Sequence, residues 1–165
     1  MKKFQDKVVW ITGSSSGIGE ATAYEFAKEG AKLILTALEA DLLQQVCKKC
    51  EELGSPKAEA LPFDLSQKDQ VAELAEKAWN VFGYIDVFYN NAGISQRSKT
   101  IDTEMKVINK VMDINYFAPV IMTKVILPKM VERGGGQLVV TTSINGRFGF
   151  PLRCAYSSSK HALYG

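Results

Sequence analysis

Short apolar runs and longer amphipathic stretches alternate along this chain from end to end, and each apolar run stops at a glycine or a polar residue. Strands covered on both faces read as continuous apolar runs, whereas helices with one covered face repeat at helical spacing. Val8 to Ile11, Leu33 to Leu35, Ala58 to Phe63, Ile85 to Tyr89 and Gln137 to Thr142 are predicted strands. A helix is predicted from Gly17 to Glu29, with Ile18, Ala21, Tyr24 (or Phe26) and Ala27 inward and Gly30 closing it. The next carries Leu42, Leu43, Val46, Cys50 and Leu53 on one face and ends at Gly54-Ser55-Pro56. Ser66, with Asp69 three residues on, resembles an N-cap for a helix whose face is Val71, Leu74, Ala75, Ala78 and Phe82. A long helical region from Thr103 to Glu132 should be bent or broken into two by Pro119 and Pro128, and another helix starts after about Pro151. Strand–helix alternation with short joints predicts one α/β domain over residues 1–165, a parallel sheet with helices on both faces. Right-handed crossovers make it doubly wound, with strand order 3-2-1-4-5 and ligands at the strands' carboxyl ends beside strand one.

Composition narrows the function classes. The 165 residues are 46% hydrophobic and 23% charged, enough for a core. A net charge of +2, with Lys and Arg scattered among Asp and Glu, gives no nucleic-acid footprint. No apolar stretch follows Met1-Lys2-Lys3 as in a signal peptide, and no run approaches the ~18 consecutive apolar residues of a spanning helix. A cytoplasmic protein, or one peripheral to an internal membrane, is the expectation. Cys47 and Cys50 form a CxxC, but they sit in a helical apolar pattern with His161, the one histidine, far away. Buried structural thiols are therefore expected, and no metal site.

Between the first strand and its helix lies Thr12-Gly13-Ser14-Ser15-Ser16-Gly17-Ile18-Gly19. Glycines at 13, 17 and 19 permit a sharp turn and close backbone approach, and the N–H groups of the helix start suit a diphosphate. The spacing departs from G-x-G-x-x-G, and the lysine of a kinase-type phosphate loop is absent.

Near the other end, Tyr156 and Lys160 lie four residues apart, on one face of a helix. Reducing a ketone by hydride requires a proton at its oxygen, and tyrosine can supply one. Its ordinary pKa of about 10 makes it a poor base until a neighbouring ammonium stabilises the phenolate. The turn at 12–19, Asn90-Asn91-Ala92-Gly93, Asn115, Ser143 and Tyr156-x-x-x-Lys160 occur in the order found in short-chain dehydrogenases/reductases, with Ser143 13 residues before Tyr156. The chain resembles that family over essentially its whole length.

The resemblance implies a Rossmann-like fold and a carbonyl–alcohol oxidoreductase with Asn115, Ser143, Tyr156 and Lys160 catalytic. Tyr156 would be the general acid/base, Lys160 would tune it and hold the nicotinamide ribose, Ser143 would orient the substrate oxygen, and Asn115 would hold a relay water. Gly13, Ser15, Ser16, Gly17, Ile18, Gly19, Thr36, Asp64, Leu65 and Asn91 join Tyr156 and Lys160 as implied coenzyme-binding residues, Asp64 meeting the adenine. His161 is expected at the surface or in packing, since no nucleophile elbow surrounds Ser143. After the second strand the chain has Thr36-Ala37-Leu38-Glu39, neither a clear acid nor an arginine at the position that separates NAD from NADP. The wording around Asn90–Arg97 and Pro151–Leu163 is similar to animal members acting on steroid-, retinoid- or other lipid-like carbonyls, which leans the expectation to NADP(H) over NAD(H). A hydrophobic small-molecule substrate follows from Phe148, Phe150 and Leu152 after Ser143. Family members run further, with additional C-terminal strands, a substrate lid and a homo-oligomer contact through the Tyr/Lys helix. Without these the fifth strand should have an open edge. The competing reading is a truncated, non-catalytic cofactor-binding or interaction module.

Overall fold

A computed structural model describes residues 2–165. Five parallel strands, β1 (Val8–Thr12), β2 (Lys32–Thr36), β3 (Ala58–Ala60), β4 (Val87–Asn90) and β5 (Gln137–Val140), pair in the order β3-β2-β1-β4-β5. The helices are α1 (Gly17–Lys28), α2 (Ala40–Leu53), α3 (Val71–Phe82), α4 (Met105–Met112), α5 (Ala118–Glu132) and α6 (Cys154–Ala162). This is the expected Rossmann-like, doubly wound sheet.

Strand side chains alternate between faces, so the sheet buries two cores. Val8, Trp10, Ile34 and Phe88 face α3 and α5, meeting Leu74, Ala78, Met122 and Ile126; Trp10 stacks on Phe88 with ring centroids 4.3 Å apart. Val9, Ile11, Leu33, Leu35 and Val87 face α1 and α2, meeting Ala23, Ala27, Leu43, Val46 and Cys50. Cys47 and Cys50 are thus buried thiols, and burial, the largest cause, pushes them up to about 11 and about 12. Among the described residues β5 pairs only with β4, and its four residues are exposed.

Several local expectations differ from the structure. β3 and β4 are shorter than predicted. Ser66 is not an N-cap: its N–H donates to Asp64 Oδ1 at 2.9 Å, and α3 begins only after a 3-10 turn at Lys68–Gln70. Ile18, Ala21 and Leu42 are exposed, and Ala23 takes the inward place on α1.

The long helical region is continuous. A π-helical turn at Asp113–Phe117 joins α4 to α5, with the Ala118 N–H reaching Asp113 O. Pro119 lies in the first turn of α5 just after the π turn, while Pro128 sits on the exposed face, where the carbonyl it leaves free can be hydrated. The 28-residue span Met105–Glu132 holds an 18-residue window of mean hydropathy 1.2, apolar enough to cross a membrane by length and composition. Here its Val111, Ile114, Ala118, Met122, Ile126 and Met130 are buried, as in a core helix.

Candidate active site

The turn after β1 is pinned to β2: Gly13 N–H donates to Thr36 O at 2.7 Å, and the buried Ser14 hydroxyl lies 3.2 Å from Ile11 O. Gly17 opens α1 at φ +60, a left-handed conformation that glycine adopts without strain. A Cβ on Gly19 would lie 2.1 Å from Gly13 O, so α1 packs against the turn only because position 19 lacks one. Ser16 caps α1 in extended conformation without a side-chain cap bond, leaving its hydroxyl and the first-turn N–H groups facing outward.

The end of β4 clamps that turn. Thr12 Oγ1 accepts from the N–H groups of Asn91 and Ala92, both at 3.1 Å. Asn91 Nδ2 donates to the carbonyls of Thr12 and Gly13, again at 3.1 Å each. From beyond β5, the Thr141 hydroxyl lies 2.9 Å from Asn91 Oδ1.

On α6, Tyr156 and Lys160 share a face, with Lys160 Nζ 5.9 Å from the Tyr156 ring centroid. Lys160 is only 3% exposed and donates to Thr141 O at 2.8 Å; burial holds its ammonium below the usual lysine range. Asn115 sits in the π turn, fully buried. Its Oδ1 accepts from Ile94 N–H at 2.8 Å, and its Nδ2 donates to Ile94 O and Ser159 Oγ at 2.9 and 3.0 Å. Those bonds tie the loop after β4 to α4 and α6. Ser143 lies beyond β5 at the start of the 3-10 turn Ile144–Gly146, its Oγ accepting from Asn145 N–H at 3.2 Å.

These pieces surround a cleft of about 490 Å³ at the carboxyl ends of the strands. Of the coenzyme-binding residues implied by the resemblance, Gly13, Ser15, Ser16, Ile18, Asp64, Leu65, Asn91, Tyr156 and Lys160 line it. Ile18 is 62% exposed because it points to this cleft rather than to the core. Gly17, Gly19, Asn115 and Ser143 lie behind or beside the lining. So does Thr36, whose buried hydroxyl accepts from Trp10 Nε1 at 3.0 Å. Asp64 is held below the usual carboxylate range by Ser66, chiefly its N–H, with a smaller pull from Lys110. His161 is exposed, its Nδ1 2.8 Å from Ser157 O.

The lining adds Phe63, Lys110, Ile114 and Thr141, which sequence reading did not single out. Thr141 follows β5 directly and Phe63 lies three residues past β3, so the rule that ligands lie beyond strand carboxyl ends could have found them. Lys110 and Ile114 come from α4 and the π turn, and no local signal marks them.

Residues 7–165 match the family model described as short chain dehydrogenase. The chain belongs to the short-chain dehydrogenase/reductase family. It is 42% identical over 163 residues to dehydrogenase/reductase SDR family member 7 of Homo sapiens, covering 97% of this chain and 48% of that protein. It is 43% identical over 167 residues to SDR family member 7B of Danio rerio, covering 96% and 53%. The chain thus spans about half the length of the curated relatives it matches. Among solved structures, levodione reductase superposes with a TM-score of 0.91 at 33% identity, covering 98% of this chain and 63% of that one. A short-chain dehydrogenase from Streptomyces avermitilis gives 0.89 at 31%, covering 99% and 58%.

Short-chain dehydrogenases use NAD(P)(H), and the residues present fit such a dinucleotide. The first-turn N–H groups of α1 are free for a diphosphate, and a carboxylate at Asp64 can meet an amino group. Gly93 keeps the wall thin, since a Cβ there would come within 3.3 Å of Asn115 Oδ1 and 3.6 Å of Lys160 Nζ.

Proposed function

We propose that this chain forms the coenzyme-binding and proton-transfer part of an NAD(P)(H)-dependent oxidoreductase interconverting a carbonyl and an alcohol. The observation that carries the reading is that the glycine turn and the Tyr156/Lys160 pair, more than 130 residues apart in sequence, line one cleft. Bound coenzyme would supply or take up the hydride. Tyr156 gives the proton to the carbonyl oxygen, or takes it from the alcohol. Lys160, buried beside that ring with its Nζ 5.9 Å from the ring centroid, would hold the nicotinamide ribose. Ser143 keeps its own proton for the substrate oxygen while accepting from Asn145. Asn115 serves through its backbone: its amide is spent on Ile94 and Ser159, whereas its carbonyl lacks the usual helical donor because Pro119 has no N–H. That backbone carbonyl is where a relay water would bind.

Coenzyme choice turns on the β2–α2 joint. Resemblance leans to NADP(H), but the side chains there favour NAD(H). Leu38 and Glu39 both line the cleft, and Ser15 Oγ donates to Glu39 Oε2 at 3.0 Å. A carboxylate there accepts ribose hydroxyls and repels a 2′-phosphate. A hydrophobic substrate is supported by exposed Ile144, Phe148, Phe150 and Leu152 beside Ser143. Self-association is supported by Phe117 of the π turn and by Val120, Leu127 and Val131 of α5, all exposed. Free thiols, and a Met105–Glu132 span with one face packed into the core, are consistent with a cytoplasmic or membrane-peripheral protein.

The test is a fluorescence titration of the chain with NADH and NADPH, then turnover of Tyr156→Phe with a hydrophobic ketone in a full-length protein carrying these residues. Saturable binding with Tyr156→Phe turnover reduced at least about a hundredfold is expected. Binding without any turnover in the unaltered protein would favour the non-catalytic module instead.

A further inference from the structure

We propose that Thr141 is a positioning residue that keeps the diphosphate-binding turn in register with the proton-transfer lysine; this rests on the coenzyme reading above. One residue does both jobs. Its backbone carbonyl accepts from Lys160 Nζ at 2.8 Å, and its hydroxyl lies 2.9 Å from Asn91 Oδ1. Asn91 in turn grips the carbonyls of Thr12 and Gly13 through its Nδ2.

An asparagine amide presents its donor to two carbonyls in only one orientation, which sends its oxygen the opposite way. Thr141 meets that oxygen with a hydroxyl, so the amide that steadies Gly13 is itself held. Gly13 cannot drift, because its N–H is fixed to Thr36 O and its carbonyl packs against Gly19. The result is a continuous path from the start of α1 through Gly13, Asn91 and Thr141 to Lys160 on α6.

The Thr141 hydroxyl has one proton and two neighbours, Asn91 Oδ1 and the Tyr89 hydroxyl oxygen at 2.8 Å. Tyr89 therefore competes for the proton that Asn91 needs. Removing the hydroxyl of Thr141 and removing that of Tyr89 should have different consequences, which separates positioning from mere packing.

The experiment measures dissociation constants of NADH and of ADP-ribose, which keeps the diphosphate and lacks the nicotinamide, with melting temperatures recorded alongside. Thr141→Val, isosteric and without the hydroxyl, should weaken both ligands about five- to tenfold, the loss of one hydrogen bond. Thr141→Ser should stay within about twofold of the unaltered chain, and Tyr89→Phe should bind as tightly or tighter. Thr141→Ala repeats the measurement without valine's apolar surface if Thr141→Val fails to fold. Unchanged affinity in the hydroxyl-free variants overturns the proposal, as does an equal loss in Tyr89→Phe. Failure of the unaltered chain to bind NADH or NADPH would overturn the coenzyme reading beneath it instead.

Discussion

Gly19→Ala sets two physical effects against each other at one atom. Alanine is the better helix former by about 1 kcal/mol, and Gly19 lies in α1 without a left-handed φ, so propensity alone predicts stabilisation. The new Cβ, however, would stand 2.1 Å from Gly13 O, 2.6 Å from Asn91 Nδ2 and 2.8 Å from Gly13 C, where ordinary contacts begin at 3.4 Å. Two of those atoms are backbone and the third is the donor that holds the turn, so none can swing aside. Displacing the turn by roughly 1 Å costs about 1–3 kcal/mol as overpacking and strains the Asn91-to-Gly13 bond, worth about 1 kcal/mol more. Sterics win, and the net expectation is a loss of about 1–3 kcal/mol. In urea, with a slope near 2 kcal/mol per M, the unfolding midpoint should fall by about 0.5–1.5 M. NADH affinity should fall with it, because the displaced atoms belong to the proposed diphosphate cradle. Gly83→Ala is the control. Gly83 ends α3 at φ +78 with nothing within 4 Å of an added Cβ, so it should cost about 1–2 kcal/mol of stability and leave affinity untouched. A Gly19→Ala chain as stable as the unaltered one would refute the steric reasoning.

Asp86 accepts from Val8 N–H at 2.9 Å and pairs with Arg133 and Lys7 at 3.1 and 3.4 Å. Burial pushes its carboxyl up, but those partners outweigh it and hold the pKa below the ordinary 3.8. A depressed folded pKa stabilises at pH above the unfolded value and is lost as pH falls through the folded one. Asp86→Asn should therefore cost about 1–3 kcal/mol at pH 7 and progressively less on acidification, read from urea midpoints between pH 7 and pH 2. Glu39→Gln should narrow the preference for NADH over NADPH by about three- to tenfold, measured by parallel titrations; an unchanged ratio would mean that Glu39 does not face the ribose. A thiol reagent at pH 8 should label the partly exposed Cys154 in the native chain and all three cysteines in denaturant, since Cys47 and Cys50 are buried with pKa values near 11 and 12.

The sheet order was legible because apolar runs and amphipathic helices alternate strictly, and crossover handedness leaves few ways to pair them. Much of the candidate site was legible for the same reason: the glycine turn follows β1, Asn91 follows β4 and Ser143 comes shortly after β5, and parallel strands deliver their ends to one edge. What escaped were directions set by tertiary contacts. Ile18 has the apolar character of a core residue, but its place in the first turn of α1 aims it at the cleft, and nothing in its neighbours' identities distinguishes the two. Thr36 sits at a strand end, where a ligand contact is natural, yet the indole of Trp10 on the next strand takes its hydroxyl. The prolines misled in an informative way. Pro119 reads as a helix breaker, but placed four residues after Asn115 it removes only the i+4 N–H of an ordinary α-helical turn. The chain answers with a π turn rather than a break, burying the Asn115 amide against Ile94 and Ser159. A residue that local rules mark as a defect thus lies one turn from the asparagine proposed to hold the relay water. That conflict between local propensity and global structure falls at the functional site, where a departure from ideal helix geometry can be kept by use.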